Sequence, residues 1–162
     1  MVVILAGVTG SGKTTIGRLL AQELGWKFYD ADAFHTAANV GKMQRGIPLD
    51  DEDRRPWLDS LRALVEDSLA RGEHAVLACS ALKAAYRRHL RVSDEVALVH
   101  LDADYALIAG RLAHRREHFM NPSLVRSQFD ALEPPSKDEA LVVDASRAPA
   151  SIVAAIRRAL KL

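Results

Sequence analysis

An eight-residue segment near the N-terminus, GVTGSGKT from Gly7 to Thr14, has the composition of an anion-binding loop. Its glycines allow backbone N–H groups to wrap a phosphate, because no Cβ atom stands in the way. The spacing Gly7-x-x-x-x-Gly12-Lys13-Thr14 matches the phosphate-binding loop, in which the lysine reaches the β- and γ-phosphates and the threonine hydroxyl ligates Mg²⁺. The segment therefore predicts a site for ATP and magnesium. The residues predicted to bind ATP here are Gly7, Val8, Thr9, Gly10, Ser11, Gly12, Lys13, Thr14 and Thr15.

Two carboxylates follow the second predicted strand, in the segment Asp30-Ala31-Asp32. Residues two apart in extended backbone point to the same side, so both carboxylates are predicted to face the crevice beyond the strand ends, where ligands bind in open α/β sheets. One carboxylate would hold a magnesium-bound water and the other would accept a hydroxyl proton. A solvated acidic turn and a helix cap are the alternative interpretations of this segment.

Arginines are concentrated between residues 111 and 135, which interrupt the regular pattern of elements. Arg111 and Arg115 are four residues apart on a predicted helix and therefore share a face. Phosphoryl transfer depends on neutralising charge on the moving group, and a mobile arginine that arrives on closure also excludes water. Arg115 is therefore predicted to contact the phosphoryl group and Arg111 the nucleotide, although the two roles could be exchanged. A solvated basic helix is the alternative.

Composition narrows the class of protein. The chain has 162 residues, of which 49% are hydrophobic and 27% are charged, with a formal net charge of +1. These values are typical of a globular protein with one core, and they give no reason to expect a nucleic-acid or membrane partner. The single cysteine, Cys79, excludes an intrachain disulfide. The expected protein is cytoplasmic, with residues 1–162 forming a single domain.

Strand-like and helix-like segments alternate along the chain. The predicted strands are residues 2–6, 27–30, 75–80, 96–102 and 141–145, and predicted helices include residues 14–24, 82–91, one from about residue 105 and one from residue 149 onward. Alternation of this kind predicts an α/β fold, with a parallel sheet between two helical layers. A long helical insertion at residues 34–70 and the arginine-rich segment at residues 111–135 depart from it.

Several longer motifs together resemble those of the bacterial and eukaryotic gluconate kinases. They are GVTGSGKTTIG, DADAFHTAANVGKMQRGIPLDDEDRRPWL, CSALK, RLAHRREHFM and SQFDALEPP, and the resemblance covers about residues 2–146. It implies a P-loop kinase of the nucleoside monophosphate and shikimate kinase type, with sheet order 2-3-1-4-5. It also implies phosphorylation of D-gluconate on its 6-hydroxyl by ATP with Mg²⁺, and a possible homodimer. The alternatives are a kinase of the same fold for another small hydroxy acid, such as shikimate, and a non-catalytic nucleotide-binding regulatory module.

The resemblance also implies roles for individual residues. Lys13, Asp32 and Arg115 would be catalytic, with Asp32 orienting the acceptor hydroxyl and taking its proton, while Thr14 and Asp30 would serve the metal. Polar positions of the family motifs predict a substrate-binding set of Asp32, His35, Lys42, Arg54, Lys83 and Arg87. A carboxylate favours a bidentate guanidinium, so Arg54 or Arg87 is the predicted clamp. The family often has glycine at the positions of Ala31 and Glu117, and a bulkier residue at the first is tolerated unless φ is positive there.

The charged run from Asp50 to Arg55 predicts the start of a helix, with acidic residues complementing the dipole and Pro56 in the first turn. Trp57, together with Leu58, Leu61 and Val65, is predicted to form a core face of that helix.

Overall fold

The computed structural model describes residues 1–114 and 122–162. Within these residues, five parallel strands form one sheet in the order β2-β3-β1-β4-β5, which confirms the predicted sheet. The strands are β1 (Val2–Ala6), β2 (Lys27–Asp30), β3 (Ala75–Ala78), β4 (Val96–Asp102) and β5 (Leu141–Asp144).

Helices cover both faces of the sheet, so the predicted three-layer architecture is confirmed. They are α1 (Lys13–Leu24), α2 (Ala37–Gln44), α3 (Asp51–Ala70), α4 (Ala84–Leu90), α5 (Tyr105–Ala113), α6 (Pro122–Ala131) and α7 (Pro149–Leu160), with a short 3₁₀ helix at Ala31–Phe34. The insertion at residues 34–70 thus contains α2 and α3, separated at residues 45–50. None of the helices in the described part of the chain is long and apolar enough to cross a membrane.

Strand β1 is the centre of the molecule, and all five of its residues are buried. It pairs with β3 on one side and β4 on the other, with Leu5 opposite Ala78 and Ala6 opposite His100. Because every strand is parallel, the segments after β1, β2 and β3 leave the sheet at one edge. This edge brings together the glycine-rich loop, the acidic segment and the segment that begins at Cys79.

Side chains from the two faces of the sheet form two separate cores. One core joins Trp57 and Leu61 of α3 to Leu90 of α4, and the other joins Leu20 of α1 to Ile152 of α7. Trp57 is 1% exposed, as predicted for a core face of α3. A smaller cluster lies beyond the strand ends and packs the glycine-rich loop against helices that enter and leave the arginine-rich segment. Its buried members are Val8, Leu82, Ile108 and Val125.

Two predicted boundaries after β3 are wrong by two residues. The third strand ends at Ala78 rather than residue 80, and the next helix begins at Ala84 rather than residue 82. The chain leaves the sheet at Ser80, whose carbonyl accepts from the Gly7 N–H, and Ala81 then takes a left-handed φ of 39°. A strand or helix ladder cannot continue through that conformation.

The start of α3 follows the charged run closely. The Asp50 carboxylate accepts from the Asp53 N–H and the Asp53 carboxylate accepts from the Asp50 N–H, forming a reciprocal capping box. The prediction that Pro56 occupies the first turn is wrong, because the helix begins at Asp51 and Pro56 lies in its second turn. The Asp50 side chain supplies the cap that fixes the earlier start.

Candidate active site

The glycine-rich loop has the backbone conformation of a phosphate cradle. Gly7, Gly10 and Gly12 have φ values of 144°, 76° and 102°, which side-chain-bearing residues rarely adopt. A Cβ atom on Gly7 would also lie 2.9 Å from both the Leu101 carbonyl oxygen and the Ser11 hydroxyl. The loop runs into the N-terminus of α1, whose unpaired N–H groups favour an anion. The Lys13 ammonium spans the loop and donates to the Val8 carbonyl at 2.8 Å.

Thr14 and Asp30 meet across the edge of the sheet. The Thr14 hydroxyl donates to Asp30 Oδ2 at 3.0 Å, although the residues are 16 positions apart in the chain. The other Asp30 oxygen accepts from the Asp32 N–H at 3.0 Å. A hydroxyl beside a carboxylate at a phosphate-binding loop is a set of hard oxygen donors, which fits Mg²⁺. The described residues contain no cluster of three or more His, Cys, Asp or Glu side chains able to hold a metal by themselves.

The prediction that Asp30 and Asp32 point to the same side because both lie in extended backbone is wrong. Only Asp30 is in extended backbone, and Asp32 lies in the 3₁₀ helix that the Asp30 side chain caps. The helix cap, one of the alternatives for this segment, is therefore present. The Cys79 thiol, directly after β3, interacts electrostatically with Lys13, Asp30 and Asp32, so these groups lie near the same end of β3. Burial raises the pKa of the Cys79 thiol to about 12, which makes it inert as a nucleophile.

Trp57 holds the acidic segment Asp30-Ala31-Asp32 in place. Its indole N–H donates to the Ala31 carbonyl at 2.7 Å, and its ring stacks on the His35 imidazole with 4.5 Å between centroids. Ala31 is buried and needs no positive φ, so the alanine is tolerated. Hydrophobic periodicity predicts that Trp57 is buried, but it gives no sign of this hydrogen bond. The residue is therefore a support of the site that sequence reasoning missed.

His35 stands between the acidic turn and the basic side chains of α3. Burial lowers the pKa of its imidazole, the Asp32 carboxylate opposes that shift, and the Arg54 guanidinium adds to it. Asp32 and Arg54 thus both lie within electrostatic range of His35. The arrangement keeps His35 neutral near pH 7, able to donate or accept one hydrogen bond at each ring nitrogen.

Two predicted substrate-binding residues are engaged by structural partners. The Lys42 ammonium lies 2.8 Å from Asp53 Oδ1 and joins α2 to the capping box of α3. Arg87 is 1% exposed and uses four of its five N–H donors on the Glu139 carboxylate and the carbonyls of Ala81 and Leu82. A guanidinium so occupied is a brace for the segment after β3, which leaves Arg54 as the better candidate for the clamp.

Arg54 and Lys83 take part in a hydrogen-bond network between the first turns of α3 and α4. Lys83 Nζ lies 2.7 Å from Asp51 Oδ1, and the Tyr86 hydroxyl bonds the same carboxylate oxygen. Arg54 Nη1 donates to the Tyr86 hydroxyl at 3.4 Å. The network connects the first turns of α3 and α4, so it brings the insertion against the segment after β3. Sequence reasoning identified Arg54 and Lys83 but not Tyr86 or Asp51.

Arg111 joins the phosphate loop to the segment after β5. Its guanidinium donates to the carbonyls of Gly10 and Ser11 at 3.2 and 3.1 Å, and also to that of Ala145. This places Arg111 beside the phosphate loop, and its contact with the nucleotide stays a prediction. Arg115, the predicted phosphoryl-contacting arginine, lies outside the described residues.

Gln128 of α6 is a further contact of the loop. Its side-chain oxygen accepts from the Thr9 N–H at 2.7 Å across 119 positions of the chain. The bond ties α6, within the arginine-rich segment, to the middle of the phosphate loop. No periodicity or motif spacing distinguishes this glutamine from a surface residue, so sequence reasoning missed it.

Burial lowers the pKa of both His35 and His100. At His100, the Asp102 and Glu139 carboxylates oppose this lowering of the pKa. The positive charges of Arg87 and Lys13 add to it. A folded-state pKa below the unfolded value near 6.5 means that the unfolded chain binds more protons in acid. The free energy of unfolding should therefore fall as the pH drops through and below this value. Carboxylates with depressed pKa values lose their contribution only near or below pH 4, approximately, so the two effects are separable.

Urea unfolding at about pH 7 and about pH 5 measures this loss. We expect the His100→Gln variant to lose less free energy of unfolding between the two pH values than the wild type. The exposed His114 provides the control, and His114→Gln should match the wild type. Equal stability of the wild type at both pH values would contradict the assignment.

Comparison with known proteins places this geometry in a class. The sequence model of the family described as shikimate kinase matches residues 9–161, nearly the whole chain. Among solved structures, an unliganded sugar kinase from a Janibacter species has a TM-score of 0.92 and 42% identity, covering 99% of this chain and 94% of that one. The class is thus that of small P-loop kinases.

Relatives named as gluconokinases define the family within that class. A probable gluconokinase from Rattus norvegicus is 46% identical over 180 residues, covering 99% of this chain and 97% of its own length. The structure of a gluconokinase from Sinorhizobium meliloti has a TM-score of 0.83 at 38% identity, covering 98% of this chain and 94% of that one. The chain belongs to the gluconokinase family of P-loop kinases.

Proposed function

We propose that this protein transfers the γ-phosphoryl group of ATP to the 6-hydroxyl of D-gluconate. The observation that supports this most directly is the contact between Thr14 of the phosphate loop and Asp30 of the acidic turn, with Asp32 beside them. It puts a phosphate cradle and a candidate general base at one edge of the sheet. The names of the relatives supply the acceptor, since gluconokinases act on gluconate.

In the proposed reaction, the oxygen of the 6-hydroxyl forms a bond to the γ-phosphorus, and the Asp32 carboxylate accepts the proton of that hydroxyl. The bond from that phosphorus to the β–γ bridging oxygen breaks, and ADP leaves. Asp32 is exposed at the edge of the cleft, so the acceptor reaches it from solvent. The Lys13 ammonium neutralises charge on the phosphates, and Arg115 would add a second positive charge if the arginine-rich segment acts as a lid.

Thr14 and Asp30 are the residues that would hold magnesium, Thr14 through its hydroxyl and Asp30 through a bound water. Bound Mg²⁺ neutralises phosphate charge in this class of reaction. Arg111 would contact the nucleotide between the loop and the segment after β5. His35, Lys42, Arg54, Lys83 and Arg87 remain the proposed acceptor side, with Arg54 as the carboxylate clamp and with Lys42 and Arg87 acting mainly through Asp53 and Glu139.

Coupled measurement of ADP release with a panel of acceptors tests the proposal. Turnover with D-gluconate, and little with shikimate or with no acceptor, is the expected result. Turnover with shikimate in place of D-gluconate would retain the kinase and replace its acceptor. ATP binding without turnover of any acceptor would instead favour a nucleotide-binding regulatory module.

A further inference from the structure

One carboxylate oxygen between the first turns of α3 and α4 is shared by a lysine and a tyrosine. Asp51 Oδ1 lies 2.7 Å from Lys83 Nζ and also accepts from the Tyr86 hydroxyl. Arg54 completes the group, with Nη1 3.4 Å from the Tyr86 hydroxyl and its Cζ 5.7 Å from the centre of the tyrosine ring. Two cations and a phenol thus surround a single carboxylate, which is the donor set that a carboxylate ligand needs.

The carboxylate at the centre of this group is poorly anchored. The Asp51 side chain is 65% exposed, whereas that of Lys83 is 32% exposed. Exposed ion pairs contribute little to folding stability, so exchange of Asp51 for another anion costs little. Asp51 stands in the first turn of α3, but the cap of that helix is made by Asp50 and Asp53. The helix therefore does not need the contact between Asp51 and Lys83.

We propose that Arg54, Lys83 and Tyr86 form the subsite for the acceptor's carboxylate, and that Asp51 occupies it until the acceptor displaces it. The inference rests on the proposed function and adds to it two specificity-determining residues, Tyr86 and Asp51. This subsite would take the carboxylate at one end of the acceptor, while the reacting hydroxyl lies at the other end. Arg54 and Asp32 both act electrostatically on His35, so the subsite and the proposed base lie near the same residue.

The proposal makes an uncommon prediction, since removal of a charged residue from the cleft should improve acceptor binding. In Asp51→Asn the competing charge is lost while the side chain keeps its shape. We expect the KM for D-gluconate to fall about twofold to fivefold, the range corresponding to an exposed ion pair, with kcat and the KM for ATP unchanged. If Asp51 serves instead to order Lys83, the KM for D-gluconate will rise.

Glu52→Gln is the matched control, because it removes the same charge from the next residue of α3, an exposed side chain outside the network. Its KM for D-gluconate should equal that of the wild type, and an equal fall in both variants would overturn the proposal in favour of a general field effect. In the Asp51→Asn background, adding Tyr86→Phe should raise the KM for D-gluconate about tenfold, since a hydrogen bond to a charged group is lost.

The outcomes distinguish failure of the proposed function from failure of the carboxylate subsite. Absence of D-gluconate turnover in the wild type would overturn the proposed function. A wild type that is active, together with an Asp51→Asn variant whose KM for D-gluconate is unchanged or higher, would overturn only the carboxylate subsite. An unchanged KM on adding Tyr86→Phe would likewise remove Tyr86 from it.

Discussion

Replacement of Asp32 with asparagine is expected to lower kcat for D-gluconate phosphorylation by about 10²-fold to 10⁴-fold, the usual contribution of a positioned general base. The amide keeps the size of the side chain but cannot take the hydroxyl proton at neutral pH. Asp32 is exposed and its side chain is not required for the 3₁₀ helix, whose cap is Asp30, so the fold should survive. Steady-state kinetics with ATP titration should show a KM for ATP within about threefold of the wild type.

Asp30→Asn is the matched control for this variant. It makes the same chemical change two residues earlier, at the carboxylate that bonds the Thr14 hydroxyl. Because Asp30 is proposed to act through magnesium, its loss should weaken metal affinity by about 10-fold to 100-fold and be relieved by added Mg²⁺. The deficit of Asp32→Asn should not be relieved. Equal rescue of both variants by Mg²⁺ would contradict the assignment of Asp32 as the base.

The second large effect is expected at Lys13. Its ammonium is the cation that the phosphate loop itself supplies, and it rests on the Val8 carbonyl at 2.8 Å, from which it can move to the phosphates. Lys13→Met keeps most of the aliphatic stem and removes the charge, so kcat/KM for ATP should fall about 10³-fold. Rapid-quench measurement of a single turnover would show whether the loss is in the chemical step.

Lys137→Met is a suitable control for Lys13, since it removes a positive charge from an exposed side chain in the segment before β5. Its kcat/KM should match that of the wild type. A Lys13→Met protein with nearly full activity would exclude the phosphate loop as the site of transfer.

The parts of the fold that follow from local chemistry could be predicted from the sequence. A run such as Val2–Ala6 is apolar throughout because it is buried on both faces of a parallel sheet. The glycines of the loop are required by its positive φ values, and the Gly12-Lys13-Thr14 spacing is that of the phosphate-binding loop. Helix α3 begins where its acidic run begins, because Asp50 and Asp53 cap it through contacts three residues apart.

The parts of the site that depend on distant partners could not be predicted. An arginine that clamps a substrate and an arginine that braces a loop look alike in the sequence. Arg87 is identified as a brace by its burial and by its bonds to the Glu139 carboxylate, 52 positions away, and to two nearby carbonyls. Likewise, the bond from Trp57 to Ala31 and the bond from Thr9 to Gln128 join elements brought together by the fold. The prediction that Asp30 and Asp32 both lie in extended backbone is wrong because the strand ends at Asp30. The Asp30 side chain caps the 3₁₀ helix that follows.

Identification of the reaction product shows whether this protein phosphorylates D-gluconate on its 6-hydroxyl. The wild-type protein would be incubated with D-gluconate, ATP and Mg²⁺, and the product examined by mass spectrometry and phosphorus NMR. We expect one phosphoryl group on the acceptor, coupled to the protons of carbon 6, and one ADP for each product molecule. ADP formation without a phosphorylated acceptor, or a phosphoryl group on another oxygen of D-gluconate, would contradict it.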